Sequence, residues 1–405
     1  MGHVHARGHL ALQADDADQP ARRRQDDAPP PGRTMVTSLL DAPSGFRADL
    51  AAVRRRRRER EASADPASAV AAAEVLTLRH REVMLTGARP EDLMALSDAV
   101  DDAVARFPGC PDLRLLRATV ALAVHRPDQA AAALAAAPGV RGRPPGRVLA
   151  ADIAQSTGDY PEARAGYERA AGEDPHWDTT ARLAALGVTT GEFDQAEDLY
   201  AAAEDEITAK QMCAFAWVRV QRADLALALG NPERAGRLLD DAGRAYPDWW
   251  YVTAHRAALD LARDRWEQAI EGYRSVLSEV DRPDFREKLG TAFAGAGRAD
   301  CAAECHAFAM SAYLASVARG EVHHLPHLAA FHADVHPHSA AAVAWAQQDV
   351  ELRRTGSTLS LLAWCLHRAS RQDEALAVLD EAFALGAGDP LLQARARRIR
   401  QGERS

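Results

Sequence analysis

Six histidines fall between Glu321 and His338, in the stretch EVHHLPHLAAFHADVHPH. Imidazole can bind a divalent metal, titrate near neutral pH, or offer a polar ring to a bound partner. Cys301 and Cys305 stand four apart with His306 beside the second, a spacing that could hold a soft metal on one helical face. Two small residues on a helix explain the same pattern equally simply. Elsewhere the signals of chemistry are absent. The chain has no GxGxxG after a strand, no GxxxxGK[ST], no HExxH, no GxSxG and no CxxC. No nucleophile, base and orienter fall together, so neither catalysis nor a cofactor is expected.

The elements that would position these residues come from the wider pattern. In 405 residues, alanine dominates, aromatics are 6% and hydrophobics 47%, which favours closely crossing helices over a β architecture. Net charge is −9, unevenly placed. Residues 1–60 hold 12 Arg against 8 acids, and residues 391–405 hold 5 Arg against one Glu, which leaves the body at −17. An acidic body with basic ends disfavours nucleic acid as the partner of the body. Five cysteines, an odd number in a chain of this size, fit a reduced cytoplasmic protein better than a disulfide framework. No apolar run approaches the ~18 residues of a membrane span.

Residues 1–66 read as a disordered tail rich in Asp, Arg, Gly and Pro, with Met35 as an alternative start. The Arg54–Arg58 run reads as a solvated charged segment or helix lead-in, with phosphate contact as the sharper alternative. From residue 67 the chain becomes periodic. In Thr157–Pro175 (TGDYPEARAGYERAAGEDP), Ala163, Tyr167 and Ala170 share a helical face between a glycine turn and a closing proline. The same small residue recurs as Ala130, Ala163, Ala196, Ala235, Ala269, Ala302, Ala342 and Ala375, spaced 33, 33, 39, 34, 33, 40 and 33. A weaker unit ends at Phe107-Pro108. Periods near 34 in an all-helical pattern signal a solenoid.

This pattern resembles the tetratricopeptide repeat. Leu289, Gly290, Phe293, Gly297, Ala302 and Ala309 match that family's positions 7, 8, 11, 15, 20 and 27. Leu359, Leu362, Ala363, Leu366, Ala375 and Ala382 match 4, 7, 8, 11, 20 and 27, and Gly230, Ala235, Ala242 and Pro247 match 15, 20, 27 and 32. Arg222 and Arg256 depart, standing at position 7 where Leu is usual. The resemblance implies an all-α, right-handed superhelical solenoid of eight to nine hairpins over residues 67–388. Residues 389–405 are expected to add a capping helix and tail.

In the family resembled, positions 2, 5, 9 and 12 of each first helix line the concave groove. In the histidine-rich unit these are His324, His327, Phe331 and Asp334; the next unit offers Trp364 and His367, and the middle of the array Trp217 and Tyr251. Three readings compete for this patch: a partner-binding surface, a structural histidine cluster, and a metal site with His324, His327 and Asp334 as ligands. Position 5 reads Val148, Ala181, Val220, Ala254, Glu287, His327 and Ser360, so no fixed positive charge is present to clamp a C-terminal carboxylate. The expectation is a non-catalytic scaffold that binds a protein or peptide in its groove. The alternative is an accessory protein that responds to a metal or small ligand through the histidine patch.

Overall fold

The computed structural model describes residues 45–403. In chain order the helices are α1 (Phe46–Ser63), α2 (Ala69–Leu85), α3 (Pro90–Arg106), α4 (Pro111–Ala123), α5 (Pro127–Ala135), α6 (Pro138–Arg141), α7 (Pro144–Thr157), α8 (Tyr160–Glu173), α9 (Trp177–Thr190), α10 (Phe193–Glu206) and α11 (Met212–Ala228). They continue as α12 (Pro232–Ala245), α13 (Trp250–Ala262), α14 (Trp266–Glu279), α15 (Pro283–Gly295), α16 (Ala299–Ala318), α17 (Leu325–Ala330), α18 (Ser339–Leu352), α19 (Gly356–Arg368), α20 (Gln372–Ala384) and α21 (Pro390–Gln401). A single π-helical turn, Phe331–Val335, follows α17. Among the described residues there is no strand, and no helix is long and apolar enough to cross a membrane.

The helices pack as consecutive hairpins. The recurring alanines mark the second helix of eight of them, and each is buried: Ala130, Ala163, Ala196, Ala269, Ala342 and Ala375 are 0% exposed, and Ala235 and Ala302 at most 5%. A methyl at the crossing lets two helix backbones approach, and bulkier neighbours such as Tyr167 and Tyr273 fill the space beside it. The hairpin turns need a left-handed residue: Gly158, Gly191, Gly230 and Gly297 supply it, and His125, Asp264 and Ser370 take the same conformation where glycine is missing. The two long spacings also have causes. One follows the Ile207–Gln211 connection, and the other the twenty-residue α16, six residues longer than α14. At the two departures, Arg222 reaches Glu204 at 2.7 Å and Arg256 reaches Asp240 at 2.8 Å, while the adjacent Ala223 and Ala257 take the buried place.

The expected disordered tail requires correction. Residues 1–44 lie outside the described residues, but Phe46–Ser63 is helix α1, packed on the repeats through Phe46, Asp49 and Val53. Asp49 accepts a hydrogen bond from the Tyr246 hydroxyl at 2.8 Å. Arg54 and Arg57 bond Glu82 of α2 at 2.8 Å, which uses two cations of the basic run within the fold. At the other end, Asp389 caps α21 by accepting from Leu391 and Leu392, and Leu392, Ala396 and Ile399 bury its inner face.

A second order of packing lies above the hairpins. Arg282 donates to the Gly87 carbonyl at 3.0 Å, 195 residues away, and Arg126 donates to the Gly320 carbonyl at 3.2 Å, 194 away. The Gly356 amide donates to the Tyr160 hydroxyl at 2.8 Å, 196 away, and the Gly388 amide to the Thr189 carbonyl at 2.9 Å. The separation stays nearly constant as the contacts advance along the chain. One turn of the coil therefore rests on the next, hairpin turns of the early units against the loops that enter later ones. The seam also gives partners to loop polar groups that the repeats alone leave unpaired.

Gly158 shows how tight this seam is. Its φ is +88°, and an added Cβ would overlap the Arg354 carbonyl. Gly158→Val is expected to part the turns, raising the radius of gyration in small-angle scattering and costing about 1–3 kcal/mol in a denaturant titration. Gly297 has a φ of +74° and meets nothing within 4 Å, so Gly297→Val adds backbone strain alone. Equal scattering from the two variants would show that the seam does not hold the turns.

Candidate functional site

The predicted row of groove residues is brought together in two clusters, one at each end of the histidine-rich helix. At the first end, Pro326 starts α17 late, so His323 lies on the preceding loop and His324 stands at the N-cap. His324 and half-buried His327 gather on Tyr313 of α16, with ring centroids 4.8 Å and 5.2 Å from it and 5.6 Å from each other. The Tyr313 hydroxyl donates to Glu287 at 2.7 Å. Beside them Asp284 pairs with Arg282 through two bonds of 2.9 Å and 3.0 Å. Asp284 and Glu287 precede His324 and His327 by 40 residues each, the spacing between the two units.

Burial decides the electrostatics of this end. Loss of solvent pushes His324 down to about 3, with His327 adding to the effect, and pushes His323 down to about 4. Burial works to raise Asp284, but the Arg282 guanidinium more than offsets it and holds the carboxyl at about 2. His323 bonds the Ala123 carbonyl at 3.1 Å across the coil seam, and its ring lies 4.8 Å from that of His125. His323 is thus packed between two turns of the coil, and burial disfavours the charged form of both rings.

The second cluster sits about ten residues farther on, roughly 15 Å along a helix. Asp334 is exposed and accepts from the Trp364 indole N–H at 3.0 Å to each carboxylate oxygen. Arg368 stands 3.7 Å from Asp334, and Arg398 of α21 lies over the Trp364 ring at 4.6 Å. Trp364 itself is 4% exposed. His367 is 0% exposed; it bonds Gln372 at 2.7 Å and the Glu403 carbonyl at 2.8 Å, under the C-terminal segment.

Several groove expectations are therefore corrected. Phe331, Trp364, His367 and Tyr251 are interior residues in this coil, not open groove wall. Phe331 packs edge-on to His306 at 5.7 Å. Tyr251 accepts from Gln221 at 3.0 Å within a cluster of Trp249, Trp250 and His255. Trp217 is half-buried, against two of the core clusters. The physical reason is local cover: α16 packs over Phe331, α21 and the C-terminal segment close over Trp364 and His367, and Trp249, Trp250 and His255 surround Tyr251. His324, His327 and Asp334 are too far apart to share a metal, and among the described residues no group of three His, Cys, Asp or Glu could hold one. All five cysteines are free.

The sequence reading missed a third polar group. Asp152 accepts from Arg182 at 2.8 Å and 2.9 Å and from the Tyr167 hydroxyl at 2.6 Å, and Arg182 also reaches Asp178 at 3.2 Å. Asp152 and Arg182 fall on first helices of neighbouring units, and their 30-residue separation, close to one repeat, was the available signal.

No protein-family model matches the chain, and no curated protein matches it. Solved structures do resemble it. The Cut9–Hcn1 assembly of the APC/C gives a TM-score of 0.50 at 12% identity, over 87% of this chain and 62% of that one. A tetratricopeptide repeat protein from Parabacteroides merdae ATCC 43184 gives 0.46 at 14% identity, over 61% of this chain and 92% of that one. The human IFIT1 dimer with PPP-AAAA gives 0.46 at 14% identity, over 85% and 87%. The chain has the fold of a tetratricopeptide-repeat solenoid, with a buried alanine at eight hairpin crossings.

Proposed function

We propose that the chain is a non-catalytic scaffold that binds a protein or peptide partner at the edge of its coil around Asp334. The observation that carries this reading is the arrangement at that edge. An exposed carboxylate is held by the Trp364 indole, with Arg368 beside it and Arg398 over the indole ring. Trp364 is held in place before any partner arrives, which lowers the ordering cost of binding, and Asp334 and Arg368 supply directional polar contacts. The acidic body, at −17 between its basic ends, favours a protein over a nucleic acid. Burial of His324 and Phe331 moves the binding surface away from the closed stretch of the groove.

The test is an affinity capture with the full chain and an Asp334→Ala/Arg368→Ala variant. A protein retained by the first and lost by the second is the expected result, with both chains melting at similar temperatures. An identical set of retained proteins would place binding elsewhere, and retention that nuclease treatment abolishes would replace a protein partner with nucleic acid.

A further inference from the structure

Helix α16 differs from the other second helices of the array. It runs for twenty residues, against fourteen in α8, α10, α12 and α14. No charged residue occurs between Glu304 and Arg319, whereas α12 carries Arg237, Asp240, Asp241 and Arg244 over a comparable length. Its inner face is buried through Ala302, Ala309 and Tyr313 and packs on α15 and α17. Its outer face leaves Phe308 48% and Leu314 44% exposed, two of the four large apolar side chains this open among the described residues. Arg286 lies over the Phe308 ring at 4.1 Å, which fixes the ring on the surface.

We propose that this face is the contact between two copies of the chain, paired α16 to α16 in antiparallel fashion about Ser311. Phe308 and Leu314 stand three residues either side of Ser311. A twofold axis there sets each Phe308 level with the Leu314 of the copy, on the two flanks of a seam of Ala307, Ser311 and Ala315. These small residues let the two helices approach closely. Charge complementarity selects the occupant. Glu304 lies near the start of the uncharged stretch and Arg319 just past its end, and the antiparallel pairing brings each Glu304 alongside the Arg319 of the other copy. Arg319 also bonds Glu321 of its own chain at 2.9 Å and keeps more than half of its side chain exposed. A parallel pairing, or a partner helix charged along its length, would leave the uncharged stretch and its two end charges unmatched. The contact is one helix wide, so the dimer is concentration-dependent. The proposal is independent of the Asp334 edge.

Sedimentation velocity on the full chain over a concentration series tests it. The expected result is a monomer–dimer equilibrium, weakened at least about tenfold by Leu314→Glu and by Phe308→Glu with thermal melting unchanged. A Ser311→Cys chain should form a covalent dimer under diamide, because that position meets itself on the axis, while native Cys301, remote from the axis, should not. A monomer at every concentration overturns the proposal. So does a dimer that Leu314→Glu leaves intact, or one in which Ser311→Cys fails to cross-link. A different protein captured by the wild type and lost on Leu314→Glu, with no self-association, would assign the face to that protein and overturn the second copy as its occupant.

Discussion

Replacing Asp152 with alanine is expected to cost about 3–5 kcal/mol, the range for an ion left buried without its partner. Asp152 is 6% exposed and Arg182 8%. Burial opposes the charge on Arg182, but Asp152 first and Asp178 second hold the guanidinium protonated, above its ordinary range. Without Asp152, the guanidinium loses its 2.8 Å and 2.9 Å bonds, and the Tyr167 hydroxyl loses its 2.6 Å acceptor. Tyr167 is itself 0% exposed, so the disturbance reaches the α7–α8 crossing. A urea titration monitored by circular dichroism measures the loss. Asp152→Leu combined with Arg182→Met removes both charges and should recover much of it. A loss below ~1 kcal/mol in the single variant would mean that water, not protein, solvates Arg182.

Acidification is the second large effect. Unfolded imidazoles take up protons near pH 6.5, while folded His323 and His324 resist until about 4 and about 3. Between those limits the unfolded chain binds more protons, so stability present above pH 6.5 is lost as pH falls. Lowering the pH from about 7 to about 4 should cost ~3 kcal/mol through each of these two groups. His327, which faces His324 at 5.6 Å and is also lowered by burial, adds to the loss in the same direction. Asp284 is held at about 2 by Arg282, and Glu321 is lowered because Arg319 and Ser316 outweigh its burial. Glu287, bonded to the Tyr313 hydroxyl, and the basic Arg282 and Arg353 complete the surroundings. His323→Gln/His324→Gln, which keeps amide donors in both places, should flatten the dependence of melting temperature on pH between about 4 and 6.5. A slope identical to wild type would assign the loss to carboxylates elsewhere.

The hairpins were legible in the sequence because their determinants are local. Ala163 needs only Tyr167, Ala170 and a glycine turn nearby to declare a close helix crossing, and the pattern repeats eight times in register. The neighbours of adjacent units were legible too, as His324 and His327 beside Asp284 and Glu287 show. What the sequence concealed was the pitch. Nothing near Gly158 announces that Arg354 will press on it, because that contact depends on the summed twist of every hairpin between them. Cover by α16, by α21 and by the C-terminal segment, which no groove register announces, turns Phe331, Trp364 and His367 from expected groove wall into interior. Helix α1 was missed for a different reason. Phe46, Leu50 and Val53 form a helical face, but five consecutive arginines mask it in any average over composition, and the surface that receives it lies some 200 residues away.

The near-constant separation of 194 to 196 residues along much of the seam also limits how this chain can change length. A repeat array ordinarily gains or loses whole units freely, since each touches only the next. Here an extra hairpin inserted between Gly158 and Arg354 would put every early turn out of step with its later loop at once. The number of hairpins in one circuit is thereby locked, as the number of teeth on a meshed gear is, and duplication can lengthen this protein only beyond the circuit or by breaking its mesh.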